Sequence, residues 1–154
     1  MSYDRGELEW FGGDTDALVM FQMIVDLAQA WDDLVDRDKE VDEPTINNAF
    51  LIALVYLPLN PFYQRIQHAV APMWITVVSA FETANKFERE KDPHGLEIAH
   101  TLRYTGAQIL AYAIHICVGP EKAREYIPVM WKRIADERFE EYREEHLNDH
   151  PKQA

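Results

Sequence analysis

Apolar residues recur along this chain at the three- and four-residue spacing of α-helices, and the sequence has no strong signal for strands. The pattern predicts five helices, over residues 14–36, 45–57, 61–90, 96–118 and 121–146. Asp14 is the expected N-cap of the first helix, Pro72 is expected to bend the third, and Pro128 to interrupt the fifth. The sequence therefore predicts an all-α fold, a compact bundle of about five helices.

The length and composition fit one folded domain. The chain has 154 residues, of which 47% are hydrophobic and 27% charged, proportions that allow a real core. We expect residues 1–150 to form a single helical domain and residues 151–154 to be a frayed tail. The predicted second helix is apolar on nearly every side, which places it at the centre of the bundle.

The charge of the chain limits its partners. The formal net charge is -12, which disfavours direct contact with nucleic acid and with anionic membrane surfaces. Divalent cations or a basic protein suit this sign better. The sole cysteine, Cys117, excludes an intrachain disulfide and a multi-cysteine metal cluster. The first residues lack the pattern of a signal peptide, and the apolar run 104–120 reads as a core helix, so we expect a cytoplasmic protein.

An acidic cluster, Asp32, Asp33 and Asp36, ends the first helix, and Asp26 and Asp33 share a polar stripe on that helix. Such a stripe either faces solvent or lines a polar pocket, and both interpretations stay open. Carboxylates three or four residues apart repel one another, and a bound Mg²⁺ ion would relieve that cost. The magnesium interpretation takes the three clustered aspartates as metal ligands and Asp26 as a further ligand or a residue behind them. It gives catalytic roles to Asp33 and Arg103, and it uses Arg103 or Arg37 as the contact for a phosphate.

The segment Asp32-Asp33-Leu34-Val35-Asp36 resembles the DDxxD motif of class I isoprenoid (terpenoid) synthases. Glu43-Pro44-Thr45 is similar to the segment after that motif in the family, and residues 136–140 resemble its second acidic motif. The resemblance implies an all-α fold in which aspartates hold Mg²⁺ against a substrate diphosphate. A looser resemblance, to all-α nucleoside triphosphate pyrophosphatases, also implies bound Mg²⁺. Both favour a protein that binds or processes a diphosphate-containing small molecule.

Two alternatives involve no catalysis, so the sequence leaves open whether the protein is an enzyme. The acidic end of the fifth helix presents Glu137, Glu141 and Glu145, which would dock on a basic protein partner. Alternatively, the chain is a subunit of a larger assembly, such as a homo-oligomer. Aromatic side chains would then lie between copies, and the candidates are Trp10, Phe11, Trp74 and Trp131.

Overall fold

The computed structural model describes residues 5–37 and 39–148 of the chain. Over these residues the chain forms helices joined by short turns, and this part of it contains no strand. The all-α fold predicted from the sequence is therefore confirmed. The predicted frayed tail, residues 151–154, lies outside the described residues.

Two helices begin the described part of the chain, α1 over Arg5–Trp10 and α2 over Thr15–Asp36. Asp14 caps α2 as predicted, because its carboxylate accepts a hydrogen bond of 3.0 Å from the backbone N–H of Ala17. The short helix α1 was not predicted. It packs against the main core through Trp10, which is buried there.

The aromatic residues proposed to lie between copies are not all available for such a role. Trp10 and Phe11 are buried inside the core of a single chain, so the prediction is wrong for these two. Their rings pack against that of Phe21, with centroid distances of 6.1 and 5.8 Å. Trp74 and Trp131 are partly buried against the same core.

A sharp corner joins the predicted second and third helices. The chain runs through α3, a π-helical turn, α4 and α5, which span Glu43–Leu51, Ile52–Tyr56, Leu57–Leu59 and Pro61–Glu90. Asn60 fixes the corner: its side chain donates to the carbonyl oxygen of Asp16 and accepts from the N–H of Tyr63, each at 2.9 Å. The helical segments before and after Asn60 meet at 99°.

The predicted central position of the second helix is wrong. No residue of α3 is buried, and between residues 43 and 59 only Ile52 and Leu57 lie in the core. The bundle centre is formed instead by α2, α5 and the first half of α7, which carry most of the main core cluster. The apolar character of the second helix therefore needs another explanation.

The C-terminal half contains α6, α7 and α8, which span Pro93–Leu102, Ala107–Ile134 and Phe139–Leu147. The predicted fourth helix is broken by a turn at residues 103–106. The predicted fifth is broken at residues 135–138 and not at Pro128, which lies inside α7, so the interruption predicted there is wrong. Within α7 the chain departs from helical geometry at Gly119, and this kink separates two helical segments where the sequence predicts one helix to stop and the next to begin. Gly119 has φ 77°, a conformation that glycine tolerates, and the following Pro120 disfavours the helical conformation at this residue.

A second, smaller core holds α8 in place. Tyr142 of α8 packs with Ala84 of α5 and with Leu96 and Ala99 of α6, and only 2% of Tyr142 is exposed. This cluster lies where α5, α6 and α8 meet, and it forms one wall of the candidate site.

The length and composition of the helices bear on whether any of them could cross a membrane. In the ranges described above, no single helix is long and apolar enough to do so. The bent pair Glu43–Leu59 and Pro61–Glu90 passes the same test of length and composition when taken together.

Candidate functional site

Arg103 is the centre of a polar network inside the bundle. It lies at the first position after α6, where the chain leaves the helix, and its side chain extends between α2 and α5. Only 12% of this side chain is exposed. A buried guanidinium needs partners for its donors, and the neighbouring helices supply them.

Glu88 of α5 is the main partner of Arg103. Its two carboxylate oxygens accept hydrogen bonds from Nε and Nη2 of the guanidinium, which is the bidentate pairing typical of arginine with a carboxylate. Nη2 also donates to the side-chain oxygen of Asn85 at 2.9 Å. The ring of Phe81 lies under the guanidinium, with 5.2 Å between Cζ and the ring centroid. One face of α5 therefore provides an anion, an amide and an aromatic ring.

Two aspartates of the DDxxD segment complete the network from α2. Asp32 accepts a hydrogen bond from Nη1 of Arg103, and Asp36 lies 3.6 Å from Nη2. Burial alone would lower the pKa of Arg103. The hydrogen bonds and charge of Glu88, together with the charges of Asp32 and Asp36, raise the Arg103 pKa above its ordinary value, so the guanidinium stays charged.

The network also reaches α8. The hydroxyl of Tyr142 donates a hydrogen bond to Glu88, and burial and this carboxylate both raise the pKa of Tyr142. Nε2 of His146 lies 3.8 Å from the same carboxylate. Glu88 is 8% exposed, and it connects α8 to the network that Arg103 forms with α2 and α5. Four parts of the chain thus meet at one ion pair.

The remaining aspartates of the predicted metal site lie elsewhere. Asp33 accepts a hydrogen bond of 3.1 Å from Gln29 and pairs with Lys39 at 2.9 Å, near the surface. Asp26 lies six residues before Asp32, a rise of about 9 Å along the helix. Its pKa is raised by partial burial. The structure thus brings Asp32 and Asp36 together around Arg103 and leaves Asp26 apart from them.

The second acidic segment approaches the network from the turn before α8. Burial raises the pKa of Tyr104, the charges of Glu137, Asp136 and Asp32 raise it further, and that of Arg103 lowers it. Tyr104 therefore lies within electrostatic reach of both acidic segments. Nε2 of His100 is 2.9 Å from the carbonyl oxygen of Glu137, which holds this turn against α6.

The three glutamates proposed to bind a basic partner do come together. Burial raises the pKa of Glu137, and the nearby charges of Glu145 and Glu141 raise it further, whereas His100 and His146 lower it. Glu141 and Glu145 are exposed on α8, and Glu137 is half-buried in the preceding turn. Their role in docking stays a prediction.

No metal arrangement is apparent across residues 5–37 and 39–148: no group of three or more His, Cys, Asp or Glu side chains there is placed to hold an ion. The magnesium role of the DDxxD segment and the catalytic roles of Asp33 and Arg103 stay predictions. Sequence reasoning missed Glu88 and Tyr142. The signal for Glu88 was its position four and seven residues after Ala84 and Phe81, on the buried face of α5.

The surface has a second feature, formed by apolar side chains. We use "apolar ridge" for the exposed large apolar residues of the stretch from α3 to α4, namely Phe50, Leu51, Leu54, Val55, Tyr56 and Leu59. Leu54 is 71% exposed, Leu59 is 65% exposed and Phe50 is 63% exposed. Single exposed apolar residues are ordinary, whereas six within ten positions are a concentration of exposed apolar side chains, a feature typical of interaction surfaces.

The π-helical turn explains how the ridge is held outward. The N–H of Leu57 donates to the carbonyl oxygen of Ile52, a hydrogen bond that spans five residues. Both of these side chains are buried, so they anchor the segment to the core. The residues between them are left facing solvent. π-turns are rare and are often found at functional sites.

A groove on α5 lies beyond the corner. It has a volume of about 550 Å³ and is lined by Tyr63, Gln67, His68, Ala71, Pro72 and Ile75. We call it the α5 groove. Ile75 is 70% exposed. The indole N–H of Trp74 donates to the hydroxyl of Tyr63 at 3.2 Å, which fixes the position of this lining side chain.

No protein-family model, curated protein or solved structure matches this chain.

Proposed function

We propose that this protein is a non-catalytic subunit of an assembly, in which the apolar ridge is covered by another protein chain. The exposure of the ridge carries the proposal. Removing apolar surface from water contributes about 25 cal/mol per Å². Large side chains such as Phe50 and Leu54 would contribute to association if a partner covered them.

The backbone of the ridge is held in place by the rest of the chain before any partner binds. Ile52 and Leu57 anchor it on one side, and Asn60 fixes the corner after it. A segment held in this way loses little conformational freedom when a partner binds, which favours affinity. The Arg103 network, in contrast, satisfies its donors within the chain, as expected of a group that stabilises the fold.

Amide hydrogen exchange tests the proposal. We expect protection of the backbone N–H groups of residues 50–59 to rise as the protein concentration is raised about a hundred-fold, because association shifts with mass action. Amides of α6, which lies outside the ridge and the groove, should be unchanged and serve as the internal control. Concentration-independent exchange in both segments would contradict an assembly of this chain with itself, and the proposal would then require that a different protein slow exchange in residues 50–59 alone.

A second candidate function is Mg²⁺-dependent binding of a diphosphate at the DDxxD segment. One observation favours it: the single guanidinium of Arg103 faces three carboxylates, those of Glu88, Asp32 and Asp36. A divalent cation would neutralise the remaining negative charge, and Asp33 lies next to this group in the chain.

Asp33→Asn is the variant that tests this second candidate. Asp33 contacts Gln29 and Lys39 near the surface, so the change should leave the fold intact. The candidate predicts that Mg²⁺ with pyrophosphate raises the melting temperature of the wild type and not that of the variant. Equal responses of the two proteins would exclude Asp33 from a metal–diphosphate site.

A further inference from the structure

We infer that the chain covering the apolar ridge is a second copy of this protein, and that the ridge of each copy sits in the α5 groove of the other. This inference rests on the proposed function and names the partner. The two surfaces would meet about a twofold axis, as in most homodimers, so that each interface contains two identical ridge–groove contacts.

Charge favours a second copy over a charged partner. The chain carries a net charge of -12, yet it has no charged residue between positions 44 and 64, which include the whole ridge. Two acidic copies repel each other where the carboxylates of one face those of the other. The electrostatic repulsion is smallest where the facing surfaces carry no charge. A basic partner would be attracted by carboxylates, and the ridge has none.

The two surfaces differ in the size of the side chains that they present. The ridge presents large exposed apolar side chains, whereas the lining of the α5 groove includes the small side chain of Ala71 beside Pro72. Apolar side chains pack best when the projections of one surface enter the depressions of another. Each chain thus has both a ridge and a groove, the two surfaces that the proposed contact requires.

The corner at Asn60 prevents a chain from filling its own groove. The segment with the ridge and the helix with the groove meet at 99°, and two hydrogen bonds of Asn60 hold this angle. The ridge would have to fold back along α5 to reach the groove. The contact therefore needs the ridge of another copy.

A charge-complementation experiment tests this arrangement. We would prepare Leu54→Glu, which places a charge on the ridge, and Ala71→Lys, which places one in the groove. Both positions are exposed in a single chain, so each variant should keep the wild-type circular dichroism spectrum. Each variant alone is expected to self-associate about a hundred-fold more weakly than the wild type, because an unpaired charge would be buried.

An equimolar mixture of the two variants is expected to restore association. In the mixed dimer one contact is unaltered, and the other pairs the new glutamate with the new lysine. Native mass spectrometry distinguishes this mixed dimer from either homodimer by mass. The matched control mixes Leu54→Glu with Ala71→Glu, which would place like charges together and should stay monomeric.

The outcomes separate the inference from the proposed function. If the wild type associates and the mixture does not, or if Ala71→Lys alone associates like the wild type, the ridge–groove contact is wrong while the assembly stands. If the wild type is a monomer at every concentration, this inference falls. The proposed function, which does not name the covering chain, then stands only if a different protein slows the hydrogen exchange of residues 50–59.

Discussion

Replacing Arg103 with Met is expected to lower the free energy of unfolding by about 3–5 kcal/mol, the range for breaking a buried ion pair from one side. The change removes the bidentate partner of Glu88, whose carboxylate is 8% exposed and would be left in the interior without its guanidinium. Methionine keeps much of the apolar volume of the arginine stem, so the loss of the charge dominates the effect.

Urea denaturation at one fixed protein concentration measures this effect. The matched control is Arg65→Met, because Arg65 pairs with Asp14 at 3.5 Å and 62% of its side chain is exposed, whereas Arg103 is buried among three carboxylates. An exposed pair of this kind contributes about 0–1 kcal/mol. Equal losses in the two variants would contradict a stabilising role for the Arg103 network.

A double variant separates the ion pair from general packing. Arg103→Met combined with Glu88→Gln removes both charges, and the two changes are expected to be less than additive because the residues contact each other. The double variant should therefore be more stable than the sum of the single losses indicates. Strict additivity would mean that the two residues act independently.

The second large effect is expected for Leu54→Glu examined alone. Leu54 is 71% exposed, so the substitution should leave the unfolding of a single chain nearly unchanged. A carboxylate buried in a contact between copies costs several kcal/mol, and we expect a dissociation constant raised about a hundred-fold or more. Arg103→Met is thus expected to lower the stability of a single chain, whereas Leu54→Glu is expected to weaken only the association between chains.

Ile98→Glu is the matched control for this second variant. Ile98 is a large apolar residue of α6 that is 38% exposed and lies outside both the ridge and the groove. The control should self-associate like the wild type in sedimentation velocity experiments. If Ile98→Glu and Leu54→Glu weaken association equally, added negative charge explains the loss, and the ridge has no special role.

The local helix signals in the sequence predicted part of the fold well. The predicted limits of the first and third helices agree with α2 and α5, because Asp14 and Pro61 are local start signals. The turn at residues 103–106 was missed, since the apolar spacing continues across it and gives no stop signal before Gly106.

The candidate site was harder to predict because its contacts are distant in sequence. The DDxxD segment is a local pattern and was found, but its contact with Arg103 joins Asp32 to a residue 71 positions later. Nothing in the spacing of either segment specifies that pairing. Likewise, the spacing of apolar residues does not distinguish a helix buried inside one chain from a helix that a second chain would cover. The second helix was for this reason predicted to lie in the core.

Association between copies is tested most simply by sedimentation equilibrium of the wild-type protein over a dilution series. We expect an average mass that approaches twice the 18.0 kDa of one chain as the concentration rises and returns to that of one chain on dilution. A mass of 18.0 kDa at every concentration would contradict association between copies through the apolar ridge.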